Sequence, residues 1–239
     1  MLQPKYKKIL LKISGESLLG DREYGISSKA AKNVAQEIKS IHDLGVQIAI
    51  VIGAGNIFRG LSAAKQGIDR PTADYMGMLA TVMNSLAIQD ALEKLNVDTR
   101  TQTAVQMNQV AEPFIRRKAL RHMEKGRVVI LAAGTGSPYF TTDSGAALRA
   151  LELNCQVLIK ATKVDGVYDK DPVKHQDAKK YDKLTHLEAI NQPGIQIMDT
   201  SALSLCMDNN MPIYVFNLFE NGNLKKVITG ENIGTIVEK

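Results

Sequence analysis

Val46-Gln47-Ile48-Ala49-Ile50-Val51-Ile52-Gly53-Ala54-Gly55-Asn56 is the stretch on which the fold turns. Residues 46–52 are apolar except for Gln47, rich in β-branched side chains, and stop on a glycine pair. A run without polar alternation suits a strand buried on both faces, as in a parallel sheet covered by helices on each side. Val128-Val129-Ile130-Leu131 has the same character. Strands are expected at 8–13, 46–52, 97–101, 127–132, 156–161, 212–216 and 235–238. Helical patterns fill the gaps. One runs from a Ser27 or Ser28 cap to about Leu44, with Val34, Ile38 and Ile41 on one stripe and Gly45 as its stop. A longer one follows Asp74, with Leu79, Met83 and Leu86 on one face. Others are expected at 113–125, 143–153 and 199–209. This alternation predicts βαβ units and an α/β fold around a mostly parallel open sheet.

The 239 residues, 44% hydrophobic and 23% charged, suffice for a sizeable core. No Ser/Gly-rich or Pro-rich spacer divides them, so one domain over 1–239 is expected. Asp169–Gln192, the most polar stretch, reads as a long loop or hairpin. No apolar run approaches the roughly 18 residues needed to span a bilayer. The basic start at Lys5–Lys8 is followed only by Ile9-Leu10-Leu11 before Lys12, shorter than the roughly 7–15 apolar residues of a secretory signal. Cys155 and Cys206 have neither metal-ligand nor disulfide spacing, which fits a reduced, cytoplasmic protein. The net charge of +5 is compatible with an anionic partner, but Arg116-Arg117-Lys118 and Arg121 are interleaved with Glu112 and Glu124 and read as a solvated face. With 5% aromatic residues and no aromatic-interleaved basic patch, nucleic acid is not the expected partner.

Ligands of open α/β sheets lie beyond the carboxyl ends of the strands, and four strand ends here carry small-residue turns. Lys12-Ile13-Ser14-Gly15-Glu16-Ser17 joins a glycine turn, whose backbone N–H groups can hold a phosphate, to a mobile cation; it also reads as a plain strand-to-loop turn. Gly53-Ala54-Gly55-Asn56 lets backbone approach a ligand, and Arg59 can fork onto a phosphate. The dinucleotide fingerprint would need glycine where Phe58 stands, which excludes that cofactor site. Ala133-Gly134-Thr135-Gly136-Ser137-Pro138-Tyr139-Phe140-Thr141-Thr142-Asp143 offers many hydroxyl and N–H donors at a helix start. A cap needs only one hydroxyl, which Thr142 or Asp143 can supply. Lys160-Ala161-Thr162-Lys163-Val164-Asp165-Gly166-Val167-Tyr168 again sets a lysine at a strand end. Asp169, Asp171 and Asp177 lack the glycine and distal glutamate of a calcium loop and read as solvated acids.

Absent motifs narrow the chemistry. There is no Gly-x-x-x-x-Gly-Lys-Ser/Thr loop, no protein-kinase motif set and no Gly-x-Ser-x-Gly elbow. His42, His122, His175 and His186 lie in polar contexts without ligand spacing, as surface histidines do. Phosphate-handling turns remain.

The lysine turns at 12–16 and 160–168, the 51–60 stretch, Asp74–Asn84 and the Thr-rich turn resemble the amino acid kinase family, and within it the uridylate (UMP) kinase branch, nearly end to end. The resemblance implies a three-layer α/β/α sandwich, with an acceptor-binding part in roughly 1–155 and an ATP-binding part in roughly 156–239. It implies transfer of the ATP γ-phosphoryl to UMP with magnesium, in pyrimidine nucleotide synthesis, by a cytoplasmic homohexamer subject to GTP activation and UTP inhibition. By the same resemblance, Lys12, Ile13, Ser14, Gly15, Gly55, Arg59, Thr162, Tyr168 and Asp171 contact ATP. Ala54, Asp74, Thr135, Gly136, Ser137, Pro138, Tyr139, Phe140, Thr141 and Thr142 contact UMP. Lys12 and Lys160 are the catalytic cations, and Asp199 is the acid that orients them, although it also reads as a helix cap. No protein metal site is expected. The sequence departs from the pattern at Ala54, where the family usually has glycine, at Ser137, where it often has asparagine, and near Gln89, where a basic effector residue is expected; Gly20–Gly25 aligns with the effector stretch. The alternatives are another amino acid kinase acting on a carboxylate, carbamate or isopentenyl phosphate, and a basic nucleic-acid-binding regulator.

Overall fold

A computed structural model describes residues 3–192, 195 and 197–239. Its centre is β1 (Lys8–Ile13), flanked by β2 (Gln47–Ile52) and β6 (Val157–Thr162). With β3 (Thr99–Thr103), β4 (Glu112–Pro113), β5 (Val128–Ala132), β9 (Lys183–Thr185), β10 (Ile213–Asn217) and β11 (Thr235–Glu238) they form a nine-stranded sheet. Its order is β4-β3-β5-β2-β1-β6-β10-β11-β9. All neighbours are parallel except β10 and β11. A separate two-stranded ribbon pairs β7 (Val167–Tyr168) with β8 (Lys180–Tyr181).

Helices cover both faces. The α1 helix (Ser28–His42), α3 (Arg70–Glu93) and α8 (Asn223–Thr229) pack on Ile9, Leu11, Ile13, Ile48, Ile50 and Ile52. On the other face, α4 (Arg116–Glu124), α5 (Thr142–Glu152), α6 (His186–Asn191) and α7 (Thr200–Asp208) cover Leu10, Ala49, Val51, Val129 and Leu158. This is the three-layer α/β/α sandwich: successive strand residues point to opposite faces, so strands apolar throughout need a helical layer on each side. The short α2 (Gly60–Lys65) lies outside these layers, beside α3.

The elements differ from the sequence reading at several points. β3 starts two residues later than expected and runs on through Gln102 and Thr103, which are fully buried and paired with β4 and β5; their polarity hid them. α4 starts at Arg116 rather than Pro113, because Glu112 and Pro113 form the edge strand β4, a position proline tolerates. α3 starts at Arg70, capped by Asp69, so Asp74 sits inside the helix rather than before it. The Leu79, Met83 and Leu86 face of α3 is not its core face: those side chains are exposed, and Thr81, Asn84, Ser85, Ile88 and Leu92 are buried instead. Residues 169–192, expected as a long loop or hairpin, hold the return strand β8 of the ribbon and then β9 and α6. His122 and His186 are buried rather than superficial; His122 meets Glu112 and Arg127, and His186 meets the Met211 carbonyl.

Candidate functional site

The chain leaves β1 toward β2, β5, β3 and β4, and later returns to β6 on the other side. The crevice at this reversal is where open α/β sheets bind ligands. Register does the rest. Lys12 on β1 stands opposite Lys160 on β6. Because Leu10 and Leu158 face the α5 layer, Lys12 and Lys160, two residues on, face it as well. Two ammonium groups on adjacent strands repel unless an anion separates them. Asp143, in the first turn of α5, is that anion: its Oδ1 is 2.5 Å from Lys12 Nζ and its Oδ2 2.9 Å from Lys160 Nζ. Burial opposes ionisation of Asp143, but the charges and hydrogen bonds of the two lysines outweigh it and hold the carboxyl below the ordinary aspartate value. Burial, with the like charge of Lys12, lowers the pKa of Lys160 against the pull of Asp143. Lys160 also donates to the Ile197 carbonyl.

Two hollows flank this pair, one lined by each lysine. The larger, about 570 Å³, is lined by Lys12, Ser14, Gly15, Ala54, Gly55, Arg59, Asp74, Thr135, Ser137, Phe140, Thr141 and Thr142, among others. The smaller, about 290 Å³, is lined by Lys160, Thr162, Tyr168 and Asp171, among others. The larger is in the size range of a small-molecule site. Ile13 is not among these residues. Its side chain is fully buried in the α1 layer, and its carbonyl accepts the Gly53 N–H. Gly136, Pro138 and Tyr139 belong to the same turn as Thr135 without lining the larger hollow.

The walls are built locally. A Cβ on Gly15 would lie 2.4 Å from Asn56 Oδ1 and 2.5 Å from the Gly53 carbonyl, so only glycine lets the turns after β1 and β2 touch. The turn after β5 is tightly curled: Ala133, Gly134, Gly136 and Tyr139 all have positive φ, a region non-glycine residues seldom enter. Side chains from two helices brace it. Thr81 Oγ1 accepts the Ala133 N–H at 2.8 Å, Arg149 donates to the Gly134 carbonyl at 3.3 Å, and Asp74 Oδ2 accepts the Tyr139 N–H at 2.8 Å. Arg70 bonds Asp74 at 2.8 Å and lies over the Tyr139 ring. Thr141 is the N-cap of α5, accepting from the Asp143 and Ser144 N–H groups.

On the β6 side, Thr162 donates to the Val164 carbonyl. Tyr168 donates to Asp165, and that bond raises the phenol pKa to about 12. Asp171 accepts the Val173 N–H. Glu16 pairs with both Arg59 and Lys163 across the mouth.

The amino acid kinase family model matches residues 7–217. The chain belongs to the amino acid kinase family. Among solved structures it is similar to the UMP kinase of Bacillus anthracis, with 42% identity over 98% of this chain and 96% of that one and a TM-score of 0.94. It is also similar to the UMP kinase of Ureaplasma parvum, with 37% identity over 98% and 100% of the two chains and a TM-score of 0.92. The uridylate kinase of Archaeoglobus fulgidus is 28% identical over 96% and 99%, with a TM-score of 0.73.

Within this amino acid kinase, the expected role of Asp199 needs correcting in its geometry. Asp199 is the N-cap of α7 and accepts from Ala202 N, Thr141 Oγ1 and Ser144 Oγ. It contacts neither lysine directly; Asp143 bridges them. Asp143 went unrecognised because its neighbours in sequence, Thr142 and Ser144, make it look like a helix cap. Thr81, Asn84 and Arg149 were missed too. The available signal was the polar stripe Thr81, Asn84, Ser85 at helical spacing, opposite the apolar stripe that drew attention.

Proposed function

We propose that the chain transfers the γ-phosphoryl group of ATP to UMP, giving ADP and UDP. The observation that carries this reading is the Lys12–Asp143–Lys160 trio, with one hollow lined by each lysine, in a chain of UMP-kinase-like structure. UMP would occupy the larger hollow, against Ala54, Asp74 and the Thr135–Thr142 turn. ATP would reach across from Thr162, Tyr168 and Asp171 to Ser14, Gly15, Gly55 and Arg59. The acceptor is a phosphate oxygen of UMP, already ionised at neutral pH, so no general base is needed. It attacks the γ-phosphorus as the bond to the β–γ bridging oxygen breaks, and ADP leaves with that electron pair. The chain's task is to hold two polyanions together and neutralise the charge between them. Lys12 and Lys160 do this, released from Asp143 toward the phosphates. Asp199 acts at one remove, fixing Thr141 and Ser144.

Among the described residues, no group of three or more His, Cys, Asp and Glu side chains could hold a metal, and Asp143 and Glu16 are taken by cations. Magnesium arriving with ATP fits that donor set as an ion held by phosphate oxygens and water, as a small hard cation prefers. Bound, it neutralises phosphate charge.

The homohexamer expected from the resemblance gains support from α3, whose Tyr75, Leu79, Met83 and Leu86 form an exposed apolar stripe of the kind that marks self-association. GTP activation and UTP inhibition rest on the Gly20–Gly25 stretch alone; Gln89 bonds Glu93 instead of supplying a cation. Among the described residues no helix is long and apolar enough to cross a membrane. A reducing cytoplasmic setting would suit Cys155 and Cys206, whose thiols burial pushes up to about 12. The basic cluster on α4 is engaged locally, Lys118 with Glu112 and Arg121 with Glu124, which argues against a nucleic-acid groove.

The deciding experiment is ADP release with ATP and magnesium across UMP, CMP, dUMP and AMP. UMP should be turned over fastest. Turnover of acetylglutamate or carbamate in its place would move the chain to another branch of the family.

A further inference from the structure

Asn84 is fully buried on α3, facing away from the exposed Leu79 and Met83. Its carboxamide is paired head to tail with that of Asn56: Asn56 Nδ2 donates to Asn84 Oδ1 at 2.9 Å, and Asn84 Nδ2 donates to Asn56 Oδ1 at 2.8 Å. The remaining N–H of each side chain goes to backbone. Asn84 donates to the Gly53 carbonyl at 2.7 Å, and Asn56 to the Gly25 carbonyl at 2.9 Å. Gly25 N–H returns a bond to the Asn56 carbonyl at 2.8 Å. Asn56 Oδ1 is also the atom against which Gly15 packs. All four amide protons are used, and both oxygens accept. A buried network satisfied in this way holds one geometry, and a half-satisfied one is costly.

We propose that Asn84, acting through Asn56, is a positioning residue that sets the spacing between the Ser14-Gly15 and Gly53-Ala54-Gly55 turns and ties both to the Gly20–Gly25 loop. The proposal rests on the reading that these turns hold donor and acceptor phosphates. A bond to Gly53 from a helix, and a carboxamide wedged against Gly15, fix one turn relative to the other. Relative placement of two reactants governs turnover more than the binding of either, and a displacement of about 1 Å can cost about 100-fold.

The test compares Asn84→Ala, Asn56→Ala and the double variant with the full-length wild type. Each single variant should lose about 10- to 100-fold in kcat, with KM for ATP and UMP moving less than about 3-fold. The double variant should fall little below the worse single one, because residues that act as a unit are not additive. Hydrogen exchange without nucleotide should quicken in peptides covering 12–18, 20–27 and 50–58 and stay unchanged in β10 and α8. Unchanged kcat in a folded variant, additive losses, a loss confined to one KM, or exchange that is unaltered or raised everywhere would overturn the proposal. If Asn84→Ala does not fold, Asn56→Ala carries the same readouts. A wild type inactive on UMP would remove the activity reading alone, since the exchange measurement still decides the positioning.

Discussion

The turn 133–142 and the ribbon 167–181 border the same crevice but are held in different ways. The first is anchored by side chains reaching in from helices: Thr81 and Asp74 from α3, Arg149 from α5. Thr81 and Arg149 are both buried; leaving such a buried partner unsatisfied costs about 1–3 kcal/mol. The ribbon is tied to the sheet mainly through one buried side chain, Thr235, whose Oγ1 accepts the Val167 N–H and donates to the Tyr181 carbonyl. Its other side-chain ties are ones that water reaches, among them Lys180 with Asp165 and Lys170 with Asp177, worth about 0–1 kcal/mol each at an exposed site. The wall assigned to UMP is therefore pre-shaped, and the wall assigned to the nucleoside of ATP is the compliant one. Discrimination among acceptors should sit on the first wall, and substitutions in the second should be forgiving.

That contrast can be broken at its hinge. Lys12→Ala removes a charge both walls share, and kcat should fall by at least about 1,000-fold while KM for UMP changes little; near-native turnover in a coupled ADP assay would take Lys12 out of the mechanism. Asp143→Asn comes next. It leaves two cations side by side, so kcat should drop about 100-fold and stability by about 3 kcal/mol, as on breaking a buried ion pair, read from urea unfolding. The pH dependence follows from the lowered Asp143 pKa. Its contribution is complete above the ordinary aspartate value of 3.8 and is lost only as pH falls below that; a wild-type advantage over Asp143→Asn that fades already near pH 6 would contradict the geometry. Asp74→Asn should raise KM for UMP about 10-fold and leave KM for ATP within about 2-fold, since Asp74 supports only the stiff wall. The smallest effect belongs to Lys180→Ala, which severs a half-exposed pair in the ribbon. KM for ATP should rise by less than about 3-fold, and a larger loss would show that the ribbon is as firmly set as the turn.

Much of the layered architecture was legible in the chain, because apolar runs at 46–52 and 128–131 have one stable use, a strand covered on both faces. The turns were legible because Gly53, Gly55, Gly134 and Gly136 stand where strands end. The α3 helix misled for a physical reason. Its apolar stripe Leu79, Met83 and Leu86 faces outward, and the first half of its inner face carries Thr81 and Asn84, which bond the backbone of the turns, before Ile88 and Leu92 enter the core. Hydrophobic periodicity finds buried surface only where burial is apolar. β4 was hidden by its length of two residues, and Asp143 by threonine and serine neighbours that mimic a cap.

Sequence alone determined that Lys12 and Lys160 each end a strand beside a glycine or threonine turn, since those facts are local. It could not say that the two strands are neighbours, that their register sets lysine beside lysine, or that Asp143 rather than Asp199 lies between them. These depend on residues 17 to 148 positions apart in the chain coming within a few ångströms of one another, and such pairing is decided by how helices and strands pack together, not by any local preference of the chain.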